Sequence, residues 1–243
     1  MNRLFKAGFA GVVAITLTAT VTASGPKWTE LGDAGSTPGG AQTPAGMGML
    51  SYINGSLGSV SLTGAFDFED MFMINIVDPF NFRATTEPND PELVDAFANF
   101  NSQLWLFQPA APGDLLNALG YLGNDDHPDV AQSVRSLLIP MTSDGFPDLV
   151  DPGIYFIAIT RFNNDPVSAI GEIFDQVSLT EISGPDGDGG AFPITGWTGD
   201  KDGFDGGYRI ALQGVEFVPA PGTIILFGLA ALRRRRRRRM PSD

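Results

Sequence analysis

The sequence predicts an all-β protein: a single domain of β-sandwich or jelly-roll type, with a signal helix before it and a short apolar helix plus arginine tail after it. Three observations predict this. Glycine and proline supply 48 of the 243 residues (30 and 18), and both cut a chain into short strands joined by turns. Phenylalanine, at 18 residues, suits a half-buried pleated surface. Apolar residues recur with a period of two over short stretches, and no long helical pattern competes with them.

The elements follow in order. Residues 35–48 are rich in Gly, Pro, Ser and Thr and read as loop. Residues 59–62 form a short candidate strand. Residues 70–76 place Phe72, Ile74 and Ile76 on one face and Met71, Met73 and Asn75 on the other. Residues 80–85 repeat the pattern with Phe80, Phe82 and Ala84, and 103–107 set Leu104 and Leu106 against Trp105 and Phe107. Residues 153–160 are apolar on both faces, as in a central strand covered on each side. Residues 207–217 turn Tyr208, Ile210 and Leu212 inward and Arg209, Ala211 and Gln213 outward. Two stretches have helical spacing: 91–100, through Leu93, Phe97 and Phe100, and 129–138.

Charge is divided along the chain. The net charge of −13 hides a body, residues 24–219, that carries six basic and 27 acidic side chains and so −21. Such a body repels nucleic acid and anionic lipid and suits divalent cations or a strongly solvated exterior. There is no cysteine, which excludes disulfides, thiolate catalysis and cysteine-based zinc sites.

Both ends read as addresses. Arg3 and Lys6 precede an uncharged, mostly apolar run over residues 7–21, and Val21, Thr22 and Ala23 offer small residues for cleavage after Ala23 or Ser24. This predicts a signal peptide over residues 1–23, with Sec export and signal peptidase as partners. At the other end Val218, Pro219, Ala220, Pro221 and Gly222 lead into an apolar run up to Leu232. Seven arginines then run from Arg233, Arg234 and Arg235 to Arg239. Arginines after an apolar run stay on the cytoplasmic side, so the acidic body is expected outside. Residues 218–239 resemble the PEP-CTERM sorting signal of bacteria, which implies recognition by an exosortase-type membrane protease. Ala220 stands where that motif usually has Glu. The apolar run of 11 residues spans about 16 Å as a helix, against a hydrocarbon core of ~30 Å.

A second resemblance covers most of residues 27–217. Trp28-Thr29-Glu30-Leu31-Gly32-Asp33, the stretch from Gly64 to Ile76, Leu104-Trp105-Leu106-Phe107, Gly123-Asn124-Asp125-Asp126, Ile154-Tyr155-Phe156 and Gly207-Tyr208-Arg209-Ile210 follow one another in this order. The order is similar to that of the bacterial pre-peptidase C-terminal type of domain. That resemblance implies a calcium-tolerant, non-catalytic accessory or adhesive module.

Acidic loops are the candidate metal ligands. Asp125 and Asp126, Asp186 and Asp188, and Asp200, Asp202 and Asp205 place oxygen ligands in glycine-rich turns, as calcium requires, although none matches an EF-hand loop. The same residues are also good turn formers. His127 is the only histidine, so any Ser-His-Asp arrangement must use it, yet it reads as an exposed turn beside Pro128. No Gly-x-Ser-x-Gly elbow and no His-Glu-x-x-His motif is present. Trp28, Trp105 and Trp197 could stack on sugars, with Trp105 as a core or sheet residue and Trp197 as a loop anchor the plainer reading. Together these features point to an exported cell-surface or extracellular-matrix module that is non-catalytic. It binds calcium, protein or extracellular polysaccharide but no nucleic acid. A secreted carboxylate-dependent hydrolase of glycosidase type is the alternative.

Overall fold

The computed structural model describes residues 26–58, 68–199 and 206–219. The strand expected at 59–62, the signal segment with Ala23, the acidic residues Asp200, Asp202 and Asp205, and the tail residues Ala220, Pro221, Arg233, Arg234 and Arg235 lie outside the described residues. The described chain is all-β, and its only helical turns are two three-residue 3-10 turns, Pro38–Gly40 and Pro79–Asn81. Among the described residues no helix is long and apolar enough to cross a membrane.

Among the described residues fifteen strands form four sheets: β1 (Lys27–Thr29), β2 (Ala45–Gly46), β3 (Tyr52–Leu57), β4 (Glu69–Ile76), β5 (Arg83–Thr85), β6 (Phe97–Ala98), β7 (Ser102–Pro109), β8 (Ala118–Asn124), β9 (Leu137–Leu138), β10 (Gly153–Arg161), β11 (Pro166–Ser168), β12 (Ile194–Trp197), β13 (Gly206–Gln213), β14 (Val215–Glu216) and β15 (Val218–Pro219). A six-stranded sheet runs β1-β3-β13-β5-β9, with β6 also on β13. A five-stranded sheet runs β14-β4-β10-β7-β8, and β11 pairs β12 and β15 pairs β2 separately.

Alternation along each strand builds the core. Phe72, Ile74 and Ile76 of β4, Leu104 and Leu106 of β7 and Ile157 and Ile159 of β10 share one buried cluster with Ile53, Tyr208, Ile210 and Leu212 of the other sheet. The opposite face of the five-stranded sheet carries Met71, Met73, Trp105, Phe107, Phe156 and Ala158. It is covered by Ile173, Phe174 and Ile194. The central strand β10, flanked by β4 and β7, is therefore apolar on both faces, as its sequence predicted.

Close packing of that cover needs glycine. A Cβ on Gly120 of β8 would collide with Ile173, and one on Gly123 would lie 2.6 Å from the Trp105 ring. These glycines hide β8 from a period-two reading.

Elsewhere the structure corrects the expectations. Only the second half of 80–85 is strand: Phe80 lies in a 3-10 turn and is 75 % exposed, because Pro79 fixes the turn before the chain extends at Arg83. Residues 91–100 and 129–138 are not helical. The Asp90 carboxylate accepts the N–H groups of Glu92 and Leu93, and Asp95 and Gln132 take positive φ (70° and 60°), which no right-handed helix admits. The single strand expected over 207–217 is split. Gly214, at φ 74°, carries the chain from β13 in one sheet to β14 in the other, and its carbonyl accepts the N–H groups of Val77 and Asp78.

Candidate functional site

The predicted metal ligands fall into two kinds. Asp186 and Asp188 are exposed. Asp186 Oδ1 accepts the Asp175 N–H at 2.8 Å and the Ser183 hydroxyl at 3.3 Å, so this carboxylate closes a turn. Asp125 and Asp126 follow β8 directly and were expected on a flexible turn. Asp125 is instead only 1 % exposed. A two-way backbone bridge between Gly123 and Ser183 brings the two acidic segments side by side. Pro219, predicted as part of the sorting signal, is exposed at the end of β15, which is held in parallel against β2.

A different acidic group forms the tightest cluster among the described residues. Ligand oxygens of Glu30, Asp33 and Asp70 lie within 4.8 Å of one another. Glu30 follows β1, Asp33 follows the positive-φ Gly32, and Asp70 is the second residue of β4. The two Glu30 oxygens accept the N–H groups of Ala34 at 2.9 Å and Ser56 at 3.1 Å, and its carboxyl also hydrogen-bonds Asp70. The Tyr208 hydroxyl donates to Asp70 Oδ2 at 2.5 Å. Gly55 of β3 makes room for this group: a Cβ there would lie 2.7 Å from Glu30 Oε2 and would collide with the Tyr208 hydroxyl. Burial raises the Glu30 carboxyl above its ordinary value, against the hydrogen bonds from Ser56 and Ala34.

Sequence reasoning missed this cluster, but one signal was available. Asp70 has the same parity as Phe72, Ile74 and Ile76, so the strand pattern itself points a carboxylate at the core.

His127 is also buried, at 1 % exposure, which overturns the exposed-turn reading. Its Nδ1 accepts the Asp129 N–H at 3.1 Å, which assigns the ring proton to Nε2, 3.1 Å from Asp90 Oδ2. Arg83 grips the same carboxylate through Nε (3.0 Å) and Nη2 (2.8 Å). Burial alone would raise the Asp90 carboxyl. The hydrogen bonds from His127 and Arg83 and from the Leu93 and Glu92 N–H groups outweigh it and hold the group well below 3.8. Both ring nitrogens are thus engaged in a structural network. The nearby Ser133 hydroxyl donates to Glu87 rather than to the imidazole.

The tryptophans sort by burial. Trp105 is fully enclosed, and its indole N–H donates to Thr160 Oγ1 at 2.9 Å, so it is a core residue and presents no face to a sugar. Trp197 is half-buried and anchors its loop through a 2.7 Å bond to the Ser36 carbonyl. Trp28 is half-buried and packs against the inter-sheet core. Apart from these, a cleft of about 560 Å³ opens where the β7–β8 hairpin leaves β10: Phe156 pairs with Phe107, whereas residues 153–155 pair with β4 alone. Gln108, Pro109, Pro112, Leu119, Pro152 and Tyr155 are among its walls, and none of its lining residues is an acid or a base.

Comparison with protein families, with curated proteins and with solved structures gave no match.

Proposed function

We propose that the chain is an exported cell-surface or extracellular-matrix protein. In this reading residues 27–217 are a single β-sandwich of jelly-roll type, residues 1–23 direct export, and residues 218–243 sort or retain the protein through an exosortase-type protease. The body works as a non-catalytic binding or structural module. The observation that carries the reading is the division of charge: −21 over residues 24–219 against seven consecutive arginines behind an apolar run. Calcium is the proposed cation, because an exterior this rich in carboxylates concentrates divalent ions. The uncharged cleft beside Tyr155 is the surface offered to a neutral extracellular polysaccharide. Protease treatment of intact cells that carry an exosortase-type protease tests the assignment. The body is expected to be digested from outside, and deletion of residues 220–243 is expected to release it into the medium. Full protection in intact cells contradicts export.

A second reading, hydrolysis by paired carboxylates, rests on the contact between Glu30 and Asp70. Two carboxyls in contact hold one proton more readily than none, but they stand closer than the about 5 Å or more that acid and base need on either side of a glycosidic bond, which weighs against this reading. Under this reading Glu30→Gln abolishes any polysaccharide hydrolysis by the purified protein while the fold persists. Equal hydrolysis by both forms, or none by either, removes it.

A further inference from the structure

The last described strand ends beside an exposed methionine. β15 pairs in parallel with β2, Val218 with Ala45 and Pro219 with Gly46, so Met47 stands alongside the point where the chain continues into residue 220. Met47 is 81 % exposed, second only to Val177 among the large apolar side chains of the described residues. The loop that carries it wraps the last strands. The Val218 N–H donates to the Pro44 carbonyl at 3.0 Å, the Phe217 N–H to Gly48 at 3.0 Å and the Leu50 N–H to Val215 at 2.9 Å, and Met49 bridges Glu216. Gly46 lets the loop lie on the Phe217 ring, which a Cβ would meet at 2.7 Å, and Gly48 turns the loop at φ 81°.

This surface is nearly free of charge in a body that carries −21. No acidic or basic residue occurs between Asp33 and Asp67, and Glu216 is the only one between Arg209 and Arg233. Ala45, Met47, Gly48, Met49 and Pro219 are exposed, and Glu216 is half-buried three residues back from Pro219. The distance to the apolar run is short. Gly222 follows Pro219 by three residues, a reach of about 10 Å. That run, about 16 Å even as a helix, leaves roughly 14 Å of a ~30 Å hydrocarbon core unspanned. With the arginines held at the far face, the shortfall draws the surface around Pro219 towards the lipid. An acidic patch there would resist; an uncharged patch bearing a flexible thioether side chain suits the place.

We infer that the loop over residues 45–49 docks on the lipid surface, with Met47 entering the bilayer interface and Met49 at its rim. The inference rests on the membrane-retention reading proposed above and adds the body itself to the membrane contact. Glu216, opposite Met49, limits the depth, because a carboxylate resists transfer out of water. A zwitterionic bilayer is the matching partner, since the acidic body repels an anionic one.

The chain has no cysteine, so single labelled cysteines report depth without interference. The test uses chain exported by cells that lack an exosortase-type protease, purified with residues 220–243 attached and added to phosphatidylcholine vesicles with brominated acyl chains. Met47→Cys, Met49→Cys and Val177→Cys each carry one fluorescent label. Val177 is the control: it is 84 % exposed and lies in the cover over β8, the edge of the five-stranded sheet opposite β14. The lipid bromines are expected to quench the label at 47 most, that at 49 less and that at 177 least. Met47→Glu is expected to melt at the wild-type temperature without vesicles and to bind them about tenfold more weakly, which separates lost docking from lost folding. In vesicle-bound protein, quenching at 47 no stronger than at 177 overturns the docking and leaves retention by the tail in place. Shielding of the label at 47 that needs no vesicles and rises with protein concentration assigns the surface to a second copy, and overturns it too. A wild-type chain that does not bind the vesicles at all overturns both this inference and retention.

Discussion

The Tyr208 hydroxyl donates to Asp70 Oδ2 at 2.5 Å, which ties β13 of one sheet to β4 of the other between residues 138 positions apart in the chain. Both partners are buried, Asp70 completely. The bond therefore fixes how the two sheets meet at the end of the core where Glu30 also lies.

Tyr208→Phe keeps the ring but removes this donor from a buried carboxylate. A cost of about 2 kcal/mol is expected, since hydrogen bonds to charged acceptors exceed neutral ones. Urea unfolding at neutral pH measures it. A loss within error of zero contradicts the role given to the pair.

The Arg83–Asp90–His127 network predicts sensitivity both to mutation and to acid. Arg83→Ala leaves Asp90 buried beside His127 without its main cation, at a cost of about 3–5 kcal/mol. Asp90 is held below 3.8 when folded, so the unfolded chain takes up this proton first as the pH falls. Its contribution is complete above about pH 4 and is lost below that value. Asp90→Asn is expected to flatten the acid limb of stability against pH, and a limb as steep as wild type contradicts the assignment.

Asp125 predicts the opposite slope. Its carboxyl is raised to about 7 on folding, so in chelator the folded chain holds the proton more tightly than the unfolded chain from about pH 4 to about pH 7. Stability of the metal-free protein is expected to fall through that window as the pH rises, by on the order of 2 kcal/mol. Asp125→Asn removes the fall, and a slope that survives the substitution places the titrating group elsewhere.

Gly214 predicts a backbone effect. Any other residue there must hold φ near 74° with a Cβ 2.5 Å from the Asp78 carbonyl. Gly214→Ala is expected to cost about 2 kcal/mol or more, because β13 and β14 must change sheets at this point. Equal stability in urea contradicts the crossover as described.

Much of the fold was legible where alternation survives intact. The inward residues of β4, β7, β10 and β13 follow directly from parity, whereas Ala211 of β13, expected outward, is buried at 1 % exposure. The strands β3 and β8 were not legible, because Gly55, Gly120 and Gly123 replace side chains exactly where Glu30, Tyr208, Ile173 and Trp105 need room. The helical spacing of Leu93, Phe97 and Phe100 gave way to local hydrogen bonds. Asp90 captures the backbone, and Phe97 lies instead against the Arg209 guanidinium, 5.5 Å from its ring centre. Asp125 and Asp126 were legible as an acidic pair, but their burial depends on the cover laid over β8 from residues 173–183. The grouping of Glu30 with Asp70 depends on the chain after β1 in one sheet reaching the start of β4 in the other, which no local pattern contains.

The central claim is that the carboxylate-rich body works outside the cell and that both termini serve to put it there. Intact-mass measurement of the native protein after cell fractionation tests this most directly. A chain lacking residues 1–23, recovered from the envelope or the medium, is the predicted result. A polypeptide with its N-terminal Met, at full mass and free in the cytosol, would contradict it.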